Sequence, residues 1–279
     1  MRKLVVMALM GLVLGCGDSD DDGTDGDTDT DTDADADADV TFEDLVFVTD
    51  APVGELSCYS PGEAWLTQTV DPAKQTTATL THFVEDFESD DPVVDANVDF
   101  YFGDQLTVPD ASGTSDQNGQ VAVETPVCTP FMYRTWKNPD LKETKTTIEA
   151  HQIFTDKAST SDEPLNSVSD ATYKVILALF RVSADADKGS AAGTVYGCDD
   201  EPVENAQIVV RSVDSGEIPA GLVMGYMVEE FPDPDQEWTS EDGLFLASRV
   251  PVGDWILEAW VHDGAEHVAI GQTRITVKA

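Results

Sequence analysis

Positive charge is what this chain has least of. Lys and Arg number 15 against 55 Asp and Glu, a formal net charge of −40 over 279 residues. Such a surface disfavours nucleic-acid partners and direct attraction to anionic lipid. Apolar runs long enough to span a bilayer, roughly 18 residues or more, are also missing; Leu4 to Gly15 reaches only twelve. Histidine is scarce, and none of His82, His151, His262 and His267 belongs to a His-Glu-x-x-His zinc motif. There is no Gly-x-Ser-x-Gly elbow and no phosphate-cradling Gly-rich loop, so no catalytic residue, cofactor or metal ligand is assigned and an enzyme is not expected.

What is present begins with an address. Arg2 and Lys3 precede the apolar run, which ends at Cys16. A basic start and a short apolar core have the form of a secretory signal. Val13-Leu14-Gly15-Cys16 resembles the bacterial lipobox, which implies cleavage after residue 15 and acylation of Cys16, a stable membrane hold when several chains are attached. Gly17 stands where an aspartate would retain a lipoprotein in the inner membrane, so the expected location is the outer membrane, on its periplasmic or cell-surface face. Residues 18 to 39 hold twelve aspartates among Gly, Ser, Thr and Ala. That composition predicts an extended, disordered tether over residues 16–40. Asp18, Asp20, Asp22, Gly23 and Asp29 also match part of an EF-hand calcium loop, with Asp25 at the usually apolar eighth position; diffuse cation condensation is the competing reading.

The folded part is organised around a repeat. Pro202-Val203-Glu204-Asn205-Ala206, then Thr239-Ser240-Glu241-Asp242-Gly243, then Val250-Pro251-Val252-Gly253 and a strand to Trp260 recur in weaker form from Pro92 to Trp136. Alternation predicts that Ala206, Ile208 and Val210 share a buried face. Likewise Trp255, Leu257, Ala259 and Val261 face the core, while Ile256, Glu258, Trp260 and His262 face away. Asp-Gly and Asn-Gly predict positive-φ hairpin turns. This order of strands and turns resembles the carboxypeptidase regulatory-like family of transthyretin-like β-sandwiches. The resemblance is closest from about Gly193 onward, and Cys128 stands in the first copy where Gly253 stands in the second. It implies an all-β fold of two tandem transthyretin-like or Ig-like sandwiches, here residues 41–158 and 189–279, and carries no peptidase chemistry. Relatives that hydrolyse 5-hydroxyisourate end in Tyr-Arg-Gly-Ser; this chain ends Arg274-Ile275-Thr276-Val277-Lys278-Ala279.

Between the copies, over residues 159–188, Ser167 or Ser169 can cap a helix with Ile176, Leu179 and Phe180 on one face, expected to pack between the modules. A strand over Val175 to Val182 stays open. Leu45 to Val48 reads as a strand of the first module. Three cysteines follow Cys16. Cys58 with Cys128 is the preferred disulfide, leaving Cys198 as a thiol, and Cys128 with Cys198 is the competing pair.

Recognition is expected on the second copy. From Ala206 to Gly243 is 14 residues longer than from Ala96 to Gly119, and the excess carries Tyr226, Phe231 and Trp238. With the outward-facing Trp260, these four are the candidate ligand contacts, for a glycan or a protein. A four-residue loop at the 262–267 tip would set His262 opposite His267, and a two-residue Asp-Gly turn would separate them. The expected function is a non-enzymatic, lipid-anchored envelope protein with a display, adhesion or structural role. A carbohydrate-binding module is the alternative, and a metal-dependent enzyme a distant third.

Overall fold

A computed structural model describes residues 6–10, 45–57, 76–102, 108–127, 131–137, 143–152, 164–185, 187–199, 201–229 and 231–277. Within them the chain is mostly β-sheet, with one helix. Strands are numbered along the chain. The long sheet has nine, in the order β12 (Phe231–Asp233), β11 (Val223–Val228), β13 (Leu244–Pro251), β9 (Lys188–Thr194), β1 (Val6–Met10), β7 (Thr146–Gln152), β6 (Phe131–Trp136), β3 (Asn97–Tyr101) and β4 (Ala111–Thr114). Two sheets of three strands accompany it: β10 (Gln207–Ser212), β14 (Gly253–His262) and β15 (His267–Val277), and β5 (Gln120–Val127), β2 (Thr76–Asp86) and β8 (Leu165–Ser167).

Each short sheet shares a core with one end of the long sheet. Val84, Val98, Phe100, Val121, Val123, Phe131 and Tyr133 fill the first. In the second, Ile208 and Val210 of β10 and Leu257, Ala259 and Val261 of β14 meet Phe245 and Ala247 of β13. The alternation read from the sequence is the cause, because successive side chains of a strand alternate faces. Trp255 packs at the margin of the same core. Equivalent strands of the two copies occupy different sheets: β3 and β6 lie in the long sheet, whereas their counterparts β10 and β14 form a short one. Among the described strands the two halves of the long sheet are joined through β1, which is antiparallel to both β7 and β9.

The repeat is most exact at one latch. Ser115 Oγ donates to Val93 O at 2.6 Å and accepts from Ala96 N at 2.9 Å. Thr239 Oγ1 does the same with Val203 O at 2.7 Å and Ala206 N at 2.8 Å. Four residues on, Gly119 and Gly243 are left-handed, at φ 73° and 63°. Their carbonyls accept from Val84 N and Val195 N, 2.8 and 2.9 Å away. A Cβ at Gly243 would sit 2.7 Å from Val195 O, and one at Gly119 2.8 Å from Val84 O. The turns differ from the expected form, in that only the glycine of each Asn-Gly or Asp-Gly pair has positive φ.

Helix α1 (Asp170–Leu179) is capped by Ser169, whose side chain accepts from Thr172 N. Its first turn is tied to the first half, through Asp170 N to Glu143 O and Thr172 Oγ1 to Glu88. Lys145 of the first half also reaches Asp170 and the Tyr173 ring, so the helix touches both halves, with its buried side chains on the second. Tyr173, Leu177 and Phe180 cover Leu246 and Ala192 on the outer face of the second. Leu179, placed on the buried face by its spacing, is exposed. Among the described residues no helix is long and apolar enough to cross a membrane.

The lead from Leu45 to Ser57 belongs with the second half, not the first. It forms no regular strand at Leu45 to Val48. Instead the Gln207 amide takes the place of a strand backbone, accepting from Val48 N at 3.1 Å and donating to Val46 O at 2.9 Å. Val53 bridges to Glu204, and Cys198 N donates to Glu55 O at 2.6 Å. Cys198 is disulfide-bonded, which corrects its expected place as the leftover thiol. Cys58 and Cys128 lie outside the described residues.

Two outcomes are expected. Thr239→Val removes a hydroxyl that serves one buried carbonyl and one buried amide, so chemical denaturation should show a loss of about 2–4 kcal/mol. Ser115→Ala should cost a similar amount, and the two losses should add, since they fall in separate cores. Non-reducing peptide mapping should find Cys198 joined to Cys58, the cysteine three residues beyond the lead residue that Cys198 already binds. A Cys58 to Cys128 cross-link would contradict this.

Candidate functional site

The excess residues of the second copy are built into the sheet. Strand β11 pairs with β13 and turns through Glu229, at φ 51°, into β12. This hairpin overhangs the outer edge of β10, the terminal strand of its sheet. There Ile208 N donates outward to Tyr226 Oη at 2.9 Å, and Ser212 N outward to Glu217 O at 2.8 Å. By the two-residue period of a strand, Val210 also points its N–H and C=O to that side. Together they frame a cleft of about 320 Å³. Its floor is Gln207 to Val210, one wall is Ile218, Leu222, Met224 and Tyr226, and the rim carries Val46, Pro234, Gln236 and Glu237. Backbone polar groups beside apolar walls suit an extended chain better than a small charged molecule.

The four candidate aromatics do not converge on this cleft. Tyr226 lines it but is a core residue, only 2% exposed. Its hydroxyl, pushed above the ordinary phenol range by burial, caps the β10 edge. Phe231 is 74% exposed on the hairpin tip. Trp238 is half-buried immediately before the Thr239 latch, and its carbonyl accepts from Gln236 Nε2 at 2.9 Å. Trp260 does face away from the core, but Phe47 covers it with ring centroids 5.8 Å apart, and its Nε1 donates to Glu258 at 3.0 Å.

Both halves carry that last arrangement. On β6, Trp136 Nε1 donates to Asp99 at 3.0 Å, and Arg134 binds the same carboxylate at 2.5 Å. Burial pushes Asp99 up, and the bonds from Ser112, Arg134 and Trp136 outweigh it and hold the carboxyl below its ordinary value. In the second half Arg211 binds Glu258. The tryptophans occupy matching register positions, opposite Asn97 and Gln207. Each pins a sheet face, and of the two Trp260 is the one the sequence presents as an open platform.

No family model matches this chain, and no curated protein matches it. Among solved structures, the Bacillus anthracis TIE protein is similar at 12% identity, over 73% of this chain and 32% of that one, with a TM-score of 0.24. The chain thus spans about a third of that protein's length, and a likeness this slight carries no argument.

The histidines form no reactive centre in the described residues. His262 stands opposite His267, as a four-residue loop requires, with ring centroids 5.0 Å apart. Asp263 caps Ala265 N and Glu266 N, and His267 Nε2 lies 2.8 Å from Val48 O. Among the described residues no three His, Cys, Asp or Glu side chains gather as a metal site would need. Sequence reading missed a buried polar group, in which the Tyr133 hydroxyl donates to Glu149 and accepts from Asn166 N at 2.9 Å. Asn166 Nδ2 also donates to Glu149 at 3.0 Å. The one sign of it in the sequence is Glu149, an acid within β7. It joins β6, β7 and β8.

His82 is fully buried against Phe100, and Nε2 lies 2.9 Å from Thr125 Oγ1. Burial lowers its pKa from 6.5 to about 4. The unfolded chain therefore binds a proton that the folded one refuses between those values. Stability is full above pH 6.5 and is lost as pH falls towards 4, at up to about 1.4 kcal/mol per pH unit. Urea midpoints between pH 7 and 5 should show this slope in the wild type and lose it in His82→Leu, measured relative to each protein's own value at pH 7.

Proposed function

We propose that this chain is a lipid-anchored, non-enzymatic protein of the outer membrane that displays a recognition cleft on two tandem transthyretin-like β-sandwiches. Its signal is residues 1–15, its acylated residue is Cys16, and the aspartate-rich segment after Cys16 is the tether. The observation that carries the reading is the cleft beside β10, built by the hairpin that the second copy adds and by the lead that follows the tether. Both are additions to the repeat, placed where a rigid scaffold holds them. Adhesion or display through a bound polypeptide follows from the outward-facing strand edge. The carbohydrate-binding alternative loses support, because Trp260 lies under Phe47 and is not open for a sugar ring.

The anchor is tested by Cys16→Ala, which should leave an uncut or soluble precursor; recovery in the outer membrane at wild-type level would sink the lipoprotein reading. The cleft is tested with peptide and glycan arrays, using wild type and Val46→Lys, a rim residue 81% exposed. A polypeptide ligand lost at least tenfold in the variant, with an unchanged melting temperature, is the expected result. A glycan ligand insensitive to the substitution would move the site off the cleft.

A further inference from the structure

Strand β1 occupies a position that the proposed anchor requires it to leave. Val6 to Met10 lies between β7 and β9, with Met7 opposite Glu149 on one side and Ala192 on the other, and Ala8 opposite Ile148 and Ala191. Resting on the lipoprotein reading, cleavage before Cys16 removes this strand from the mature chain. Two strand edges then face each other across about 9.5 Å, twice the ordinary interstrand spacing.

Those edges are held by contacts that do not involve β1. On β9, Ser190 Oγ lies 3.1 Å from Tyr173 Oη of the helix and donates to Ser248 Oγ at 3.3 Å. Ala191 is sealed into the second core, and Ala192 lies under the helix, so β9 is backed on both faces. On β7, Glu149 is fixed by Tyr133 and Asn166, and Thr147 Oγ1 accepts from Val168 N at 3.3 Å. The residues of β9, Gly189-Ser190-Ala191-Ala192-Gly193, are small and leave room for larger side chains alongside. Helix α1 also joins the halves without β1, with Asp170 held by Glu143 and Lys145 on one side and Tyr173 set against Ser190 on the other, so loss of β1 leaves a slot and not a collapsed seam.

We propose that the mature protein uses this slot to accept one extended, uncharged apolar segment of about five residues from a partner protein, antiparallel to β7 and β9. The partner strand completes the long sheet and couples the two halves, with main-chain hydrogen bonds on both sides. The segment seen there sets its chemistry: Val6-Met7-Ala8-Leu9-Met10, preceded by Arg2 and Lys3. Basic flanks suit a mature chain in which acids outnumber bases 55 to 13, Arg2 and Lys3 having left with the signal.

The test uses the mature polypeptide, residues 16 to 279, with Cys16→Ser to leave it unacylated. The probe is a synthetic peptide of residues 2 to 12, with a second copy N-methylated at Ala8. The peptide should slow hydrogen exchange at least tenfold in both 146–152 and 188–194, and the N-methylated form should bind at least tenfold more weakly, since it lacks one main-chain donor. Protection of neither strand, or of only one, overturns the proposal. Protection of both without peptide, in a protein that sediments as a dimer, also overturns it, because a second copy would then fill the slot. Mass spectrometry of the protein purified from cells separates the two readings. Retention of residues 1 to 15 refutes the anchor and with it the open slot, whereas a chain that starts at residue 16 but binds no peptide refutes the slot alone.

Discussion

One side-chain hydroxyl in each half determines where everything else can go. Ser115 and Thr239 each join a carbonyl and an amide three residues apart, and so fix the sharp bend that carries the chain from Val93 or Val203 into strand β3 or β10. Asp95 and Asn205 sit at the bend with φ of 57° and 62°, a conformation that short polar side chains tolerate better than most. The glycine four residues after each hydroxyl then packs against the carbonyl of Val84 or Val195. Three segments distant in sequence are thereby locked at one corner of each core. The strands that radiate from that corner inherit their register from it.

This explains what was legible in the sequence. The latch needs Pro-Val, a polar residue at positive φ, an alanine, a hydroxyl and a glycine at set intervals, and these are the residues by which the repeat was found. The faces of β10 and β14 were legible for a similar reason, since burial on one side enforces a period of two. The helix start was readable because Ser169 is a side-chain cap acting within three residues. By contrast, the position of the lead depends on Gln207 and Glu204, about 150 residues away, and polar side chains acting as backbone substitutes leave no periodic trace. Its apolar run, Leu45-Val46-Phe47-Val48, imitated a strand of the first module. The exchange of roles between β3 with β6 and β10 with β14 was invisible too, because each copy reads the same whichever sheet it joins.

Two of the candidate aromatics, Tyr226 and Trp260, serve the scaffold for one physical reason. Tryptophan and tyrosine combine a large apolar body with a polar tip, and that tip is as useful inside a protein as at a binding surface. Tyr226 spends its hydroxyl on the β10 edge, and Trp260 directs its indole N–H to Glu258. The first half repeats the second arrangement with Trp136 and Asp99, which argues for a scaffold role in both. On the proposed reading recognition falls to the strand edge, framed by apolar residues that no motif would single out, with Phe231 exposed at the hairpin tip.

The attachment of the lead governs how load would travel through a chain held at its N-terminal end. Tension along the tether reaches residues 45–57 first, and these are bound sideways to the second half at Gln207, Glu204 and Cys198. Lateral bonds of this kind are loaded in shear, so several must yield together. The first half, though earlier in the chain, lies off this line of force, like a building beside a bridge and not under it. A ligand gripped in the cleft would be connected to its anchorage through the second half alone, and the core built on Val84, Phe100 and Tyr133 would stay folded while the protein is pulled.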